Sequence, residues 1–197
     1  RITGTEVVVG ERRADFSVDP ERARAVIEEH APTIVFVCSP NNPTGTVEPA
    51  ATIEALLAAD GDHLVVVDEA YGEFAPWSAL ELVRDDRALV VVRTYSKVWS
   101  MAALRLGFAV APQSVVEELE KVVLPYHLDA FKQRAATRAL EQVDAMNARV
   151  ATLVEERGRL VAALSDLPVD QWASGANFVL FRPRDRDGAE VWQELLD

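Results

Sequence analysis

Of the 20 Lys and Arg side chains, only Lys97, Lys121 and Lys132 are lysines, and Lys97 is the one that closely follows an apolar run. That run, Ala88-Leu89-Val90-Val91-Val92, reaches it through Arg93-Thr94-Tyr95-Ser96. An amine at the end of a buried strand loses solvation, which favours its neutral form and makes it nucleophilic toward an aldehyde. The alternative is a solvated surface lysine, because full burial of lysine is rare. Its company decides between the two. Asp68 ends a second apolar run, His63-Leu64-Val65-Val66-Val67, where a carboxylate is costly without a cationic or hydrogen-bonding partner. Asn42 stands in a cluster of turn formers, Ser39-Pro40-Asn41-Asn42-Pro43-Thr44-Gly45, behind a third run, Thr33 to Cys38; it is either a ligand-facing amide or turn punctuation.

These residue types suit one kind of chemistry. An aldehyde cofactor of the pyridoxal 5'-phosphate type needs a lysine for the Schiff base and an acid to keep its pyridine nitrogen protonated. It also needs donors for a phenolic oxygen and a cationic, hydroxyl-lined phosphate cradle. Lys97 and Asp68 supply the first two, and Asn42 and Tyr71 are candidates for the third. Thr94, Ser96 and Arg105 are candidates for the cradle, Arg105 with a bidentate fork.

The elements that must position these groups follow from pattern. Asp19-Pro20-Glu21 offers an N-cap, a proline at the first helical position and an acid in the first turn, which predicts a helix from about Pro20 to His30. A second helix is expected near Pro49 to Ala59, and a further strand over Leu106 to Val110. Three apolar runs alternating with helices imply a parallel sheet covered on both faces, hence an α/β fold. Ligands of such sheets bind outside the carboxyl ends of the strands, where all three runs hand over to polar residues. From Ser114 onward the pattern is helical, broken at Pro125-Tyr126-His127, with one long helix expected from Asp129 to about Leu164 as a link between domains. Asn177-Phe178-Val179-Leu180-Phe181 reads as the first strand of a second unit.

Three segments carry a family resemblance. Ser39 to Gly45, Asp68-Glu69-Ala70-Tyr71, and Ser96-Lys97 followed eight residues later by Arg105-Leu106-Gly107 resemble the signatures of fold-type I pyridoxal phosphate aminotransferases. Val67 to Phe74, Leu124-Pro125-Tyr126-His127-Leu128 and Ala176 to Arg182 are most similar to the histidinol-phosphate aminotransferases. The resemblance implies a three-layer α/β/α large domain with a mostly parallel sheet, and the start of a small α+β domain. The divisions expected are 1–128 for part of the large domain, 129–165 for a connecting helix and 166–197 for the beginning of the small one. It implies amino transfer between L-histidinol phosphate and 2-oxoglutarate in histidine biosynthesis, in a homodimer, with Lys97, Asp68 and Tyr71 catalytic. On that template Lys97 bonds the cofactor and then moves the substrate's proton.

The resemblance also marks departures. Ser100 and Ala103 stand where glycines are usual after the lysine, and Trp99 replaces a smaller aromatic. A glycine-rich phosphate loop, a ring-stacking aromatic and an early strand are expected before Arg1, and a substrate-carboxylate arginine after Asp197. Arg182 and Arg184 are not at that motif. Arg1 is not an initiator methionine and Asp197 lies in an uncapped amphipathic run, so both ends look like cuts in a longer chain.

Composition bounds the alternatives. With 197 residues, 49% hydrophobic and 26% charged, the chain is that of a soluble globular protein. No run approaches the roughly 18 to 20 apolar residues of a membrane helix. A net charge of −12 without basic clusters argues against nucleic acid. A single cysteine, Cys38, makes no internal disulfide and fits the cytoplasm. His30 and His63 lack partners at metal-ligand spacing, so no metal is expected. Val65 to Glu69 also resembles the magnesium-binding strand of P-loop ATPases, but the phosphate-loop motif is absent from this sequence. Two rivals share the scaffold: an aromatic amino acid aminotransferase or threonine-phosphate decarboxylase, and a cofactor-sensing regulator joined to a DNA-binding domain.

Overall fold

The computed structural model describes residues 4–196; the terminal residues Arg1 and Asp197, on which the reading of cut ends turns, lie outside the described residues. Helix α1 spans Pro20–His30, as the cap signals predict. The Asp19 carboxylate accepts from the Glu21 and Arg22 N–H groups at 3.1 and 3.3 Å, and Ala31 ends the helix in the left-handed region. Strand β1 (Ile34–Cys38), helix α2 (Ala50–Leu57), strand β2 (Leu64–Asp68) and strand β3 (Leu89–Thr94) follow, then β4 (Gly107–Val110).

The sheet order is β1-β2-β3-β4, with β1, β2 and β3 parallel and β4 antiparallel to β3. This is the α/β, mostly parallel fold expected. Side chains alternate along a strand, so Val37, Val65, Val67, Leu89 and Val91 share one face, where Ile27 of α1 and Ile53 and Leu56 of α2 bury against them. Burying each such side chain is worth about 1.5–3 kcal/mol. The intervening Val66 and Val90 are buried as well, so the central strands are covered on both faces. The edge strands are not: Ile34 and Phe36 of β1 and all of β4 are exposed.

Past the sheet, α3 (Gln113–Val122) lies on the surface, and Pro125-Tyr126-His127 forms the expected break. The single helix expected over 129–165 is instead two, α4 (Ala130–Leu140) and α5 (Val143–Ser165). Glu141 N–H bonds back to Arg138 and Gln142 N–H to Ala139, three residues back rather than four, which tightens the last turn and ends α4. Ala139 and Met146 on either side of the break enter the same buried cluster. Neither glycine nor proline marks the break in the sequence.

The strand expected from Asn177 starts later. β5 (Val169–Gln171) pairs antiparallel with β6 (Phe181–Pro183), and α6 (Gly188–Glu194) follows. Residues 177–180 are diverted instead: the Phe178 carbonyl accepts from the Ser174 hydroxyl at 2.5 Å, and the Phe178 ring packs edge-on against Tyr71 at 5.1 Å.

Candidate active site

The carboxyl ends of β1, β2 and β3 meet at one edge. A cleft of about 410 Å³ opens there, lined by Phe36, Asp68, Ala70, Val92, Arg93, Thr94, Ser96, Lys97 and Arg105. Five of the seven residues singled out from the sequence, Asp68, Thr94, Ser96, Lys97 and Arg105, therefore share one wall. The other two adjoin it: the Asn42 amide donates to the Tyr71 hydroxyl at 3.2 Å, and Lys97 Nζ lies 5.1 Å from the centre of the Tyr71 ring. A volume of this size is within the range of about 300–1,000 Å³ that small-molecule sites occupy.

Each side chain has a local reason for its place. Asp68 is the last residue of β2 and is exposed, with Oδ1 accepting from the Ala70 N–H at 2.9 Å. Solvent and that bond supply part of what the carboxylate needs and leave Oδ2 for a further partner. Tyr71 is buried between Phe178 and the turn that follows Asp68. The Asn42 loop is held by Asn41, whose amide donates to Thr44 Oγ1 at 2.8 Å and whose carbonyl accepts from Gly45 N–H at 2.7 Å. Gly45 sits at φ +78°, and a Cβ there would lie 2.3 Å from Ser174 Oγ, so only glycine lets this loop touch the 174–178 segment.

Thr94 Oγ1 donates to the Leu106 carbonyl at 3.3 Å and accepts from Ser96 N–H at 3.0 Å, which turns the chain outward at the end of β3. The expectation of a desolvated amine fails: Lys97 is exposed. It stands three residues beyond the sheet, in a turn, with the Tyr71 ring beside its amine and the cleft open beyond. Ser100 and Arg105 have φ of +56° and +51°, a conformation that costs a non-glycine residue roughly 1–2 kcal/mol. Ser100 thus adopts the backbone for which glycine is usual, and Ala103 does not. Trp99 stacks on Tyr95 at 5.7 Å. Arg105 Nη1 donates to the Ala102 carbonyl at 3.1 Å, which leaves most of its fork for an anion.

Sequence reading missed the groups behind this wall. Arg93 donates to Glu69 Oε2 from Nε at 3.1 Å and Nη2 at 2.7 Å, to Ser78 Oγ at 2.8 Å and to Glu73 Oε1 at 3.1 Å. Ser78 Oγ donates to Glu69 Oε2 at 2.7 Å, and Ala79 N–H to Glu69 Oε1 at 2.6 Å. Burial, opposed by Arg93, holds the Glu73 carboxyl above the usual range, and its Oε2 has no hydrogen-bond partner among the described residues. The available signal was register: Glu69 and Arg93 each lie one position beyond the paired Asp68 and Val92.

Other residues fall away from the cleft. His127 is exposed outside its lining, and Tyr126 beside it is 99% exposed. His63 Nε2 bonds to the Leu56 carbonyl at 2.9 Å. Cys38 has its thiol pushed up, chiefly by burial, and donates to the Pro40 carbonyl at 3.5 Å. Arg182 is engaged with Asp170 at 2.6 Å and lies over Trp172. A larger cavity of about 830 Å³ between α5 and residues 171–175 holds none of the seven candidates. Among the described residues, no helix is long and apolar enough to cross a membrane.

A mostly parallel sheet brings an amine, a carboxylate, hydroxyls and a guanidinium to its carboxyl edge, the groups that a phosphorylated aldehyde cofactor would need. The family is explicit in comparison: the aminotransferase class I and II family matches residues 1–197, and the chain belongs to it. It is 48% identical over its whole length to the histidinol-phosphate aminotransferase of Thermobifida fusca and 46% identical to that of Streptomyces avermitilis, covering 54% of each. The chain thus spans about half the length of the curated relatives it matches. Among solved structures, the histidinol-phosphate aminotransferase of Sinorhizobium meliloti in complex with pyridoxal-5'-phosphate aligns with a TM-score of 0.78 at 25% identity, over 89% of this chain and 49% of that one.

Proposed function

We propose that this chain carries the cofactor half of a pyridoxal phosphate-dependent transaminase that moves an amino group between L-histidinol phosphate and 2-oxoglutarate. The observation that carries the reading is the shared cleft: Asp68, Thr94, Ser96, Lys97 and Arg105 on one wall, with the Asn42–Tyr71 pair against Lys97. When bound, the cofactor supplies an aldehyde carbon and an electron-withdrawing protonated ring that accepts the electron pair left as the substrate's α-proton departs.

The residues divide that work. Lys97 Nζ, the one lysine amine among the described residues of the wall, anchors the aldehyde and later carries the α-proton. Asp68, its Oδ1 oriented by the Ala70 N–H, holds the proton on the ring nitrogen through a charge-assisted hydrogen bond. The Tyr71 hydroxyl and the Asn42 amide orient the ring's phenolic oxygen. The Ser96 hydroxyl and the Arg105 guanidinium bind the phosphate, the geometry in which arginine exceeds lysine, and Thr94 joins them once its O–H turns from the Leu106 carbonyl.

The substrate reading rests on relatives of 46–48% identity named histidinol-phosphate aminotransferase, which favours it over the decarboxylase, the aromatic aminotransferase and the regulator. Residues 1–128 and 166–197 are taken as parts of a large and a small domain, joined by the helices of 129–165. A homodimer in the cytoplasm belongs to the same reading through family resemblance. The test expresses the chain from its complete open reading frame, loads it with pyridoxal 5'-phosphate and adds amino donors without 2-oxoglutarate. L-Histidinol phosphate is expected to abolish the cofactor's visible band, and 2-oxoglutarate to restore it. A response to phenylalanine but not to histidinol phosphate would sink the substrate assignment.

A further inference from the structure

The geometry points to a positioning device behind the cleft: we propose that the Arg93–Glu69 ion pair, with Gly72 as its clearance, fixes the segment bearing Asp68 and Tyr71 against the one bearing Thr94, Ser96 and Lys97. This inference rests on the cofactor reading above.

Glu69 directly follows Asp68, and Arg93 directly precedes Thr94. Glu69 N–H donates to the Val92 carbonyl at 2.9 Å, which carries the β2–β3 ladder one step past the end of β2. The side chains then cross-link what the ladder leaves loose. Four hydrogen bonds from the Arg93 fork reach Glu69, Glu73 and Ser78, so all but one of its N–H donors are spent on the protein although the residue lines the cleft. The Arg93 and Glu69 side chains are 12% and 4% exposed. Gly72 closes against them: a Cβ there would lie 2.8 Å from Glu69 Oε2 and 3.1 Å from Arg93 Nη2. A buried ion pair is a poor source of stability compared with an apolar pair of equal volume. Its distinguishing property is direction, because a planar fork with three partners in the stretch that follows β2 admits one arrangement. What that arrangement sets is the approach of Lys97 Nζ to the Tyr71 ring, two residues from the Glu69 side and four from the Arg93 side.

Arg93 and Glu69 act through Asp68, Tyr71 and Lys97, and the test separates that from a structural role. Glu69→Gln, Arg93→Lys and Gly72→Ala are made in the complete open reading frame, with Ile53→Val, which thins the buried core under the sheet away from the cleft, as the control. Melting by far-ultraviolet circular dichroism sets a temperature at which each is folded. There, pyridoxal 5'-phosphate is titrated by absorbance, and the induced circular dichroism of the bound cofactor is read at saturation.

Glu69→Gln and Arg93→Lys are expected to weaken cofactor affinity by about tenfold or more, the scale of one charged hydrogen bond, and to change the induced signal. The retained charge of Arg93→Lys is expected not to rescue it, because the fork is lost. Gly72→Ala removes no charged group and is expected to act in the same direction; it serves where Arg93→Lys does not fold. Ile53→Val is expected to lower the melting temperature and leave both cofactor readouts at wild type. Wild-type affinity and wild-type induced signal in the three cleft variants would overturn the inference alone. A wild-type protein that takes up no cofactor would overturn the cofactor reading, and this inference with it.

Discussion

Among the described residues, the buried glutamates Glu48 and Glu69 are each paired with an arginine, and the two pairs hold different things. Glu48, fully buried, takes Arg12 and the Val18 N–H, while its own N–H donates to Ser39 Oγ at 2.9 Å. That pair fastens the segment around residues 12–18 to the loop after β1, and both carboxylate oxygens are satisfied. The Arg93–Glu69 pair joins two neighbouring strand ends, each adjacent in sequence to candidate site residues, and it includes a second acid, Glu73, with an unpartnered oxygen. The Arg12–Glu48 pair is complete as a fastening. The Arg93–Glu69 pair carries a surplus acid behind the cleft wall, and such groups are held in place at some expense of stability.

The comparison is broken most severely at Glu48. Glu48→Ala leaves Arg12, 22% exposed, without its counter-ion and is expected to lose about 3–5 kcal/mol of stability in urea unfolding. Ile53→Ala calibrates this against packing alone: the side chain is wholly buried, and about 3 kcal/mol is expected from transfer plus cavity, with cofactor affinity of the folded fraction unchanged. A change in cofactor affinity in Ile53→Ala would dissolve the distinction between fastening and positioning.

The surplus acid sharpens the comparison by pH. Because burial raises the Glu73 carboxyl above its unfolded value, the native state holds that proton more tightly than the unfolded chain does. Its contribution to stability is full below the unfolded value of 4.5 and is lost as pH rises through the folded one. The stability of Glu73→Gln relative to wild type is therefore expected to move in the variant's favour as pH rises from 4.5, measured by urea unfolding at a series of pH values. A difference that is flat in pH would remove the surplus-charge account. The smallest effect is expected at Ser100, whose φ of +56° suits glycine. Ser100→Gly should gain up to about 1 kcal/mol, and a loss would show that its side chain matters more than its backbone.

What sequence made legible was local. The strands were readable because β-branched runs end abruptly at turn formers, and α1 because Asp19 and Pro20 are cap signals at the right spacing. Asp68 and Lys97 were readable because polar groups at the ends of apolar strands need an explanation. What it concealed was non-local. Arg12 meets Glu48 across 36 positions and Arg93 meets Glu69 across 24, and no local pattern pairs one arginine with one acid among many. The break at Glu141-Gln142 carries no glycine or proline, and Phe178 reaches Tyr71 only because Ser174 and Gly45 draw its segment toward the sheet edge. Exposure of Lys97 was hidden for a related reason: solvation depends on what covers a turn, and the turn's own residues do not say.

The central claim is that Lys97 is the cofactor's anchor, and the most direct test is chemical. Pyridoxal 5'-phosphate is added to the protein, the adduct is reduced with borohydride, and the modified peptide is mapped. The account predicts label on the peptide bearing Lys97 and its loss in Lys97→Ala. Label distributed over Lys121 and Lys132, or label that survives Lys97→Ala, would contradict it.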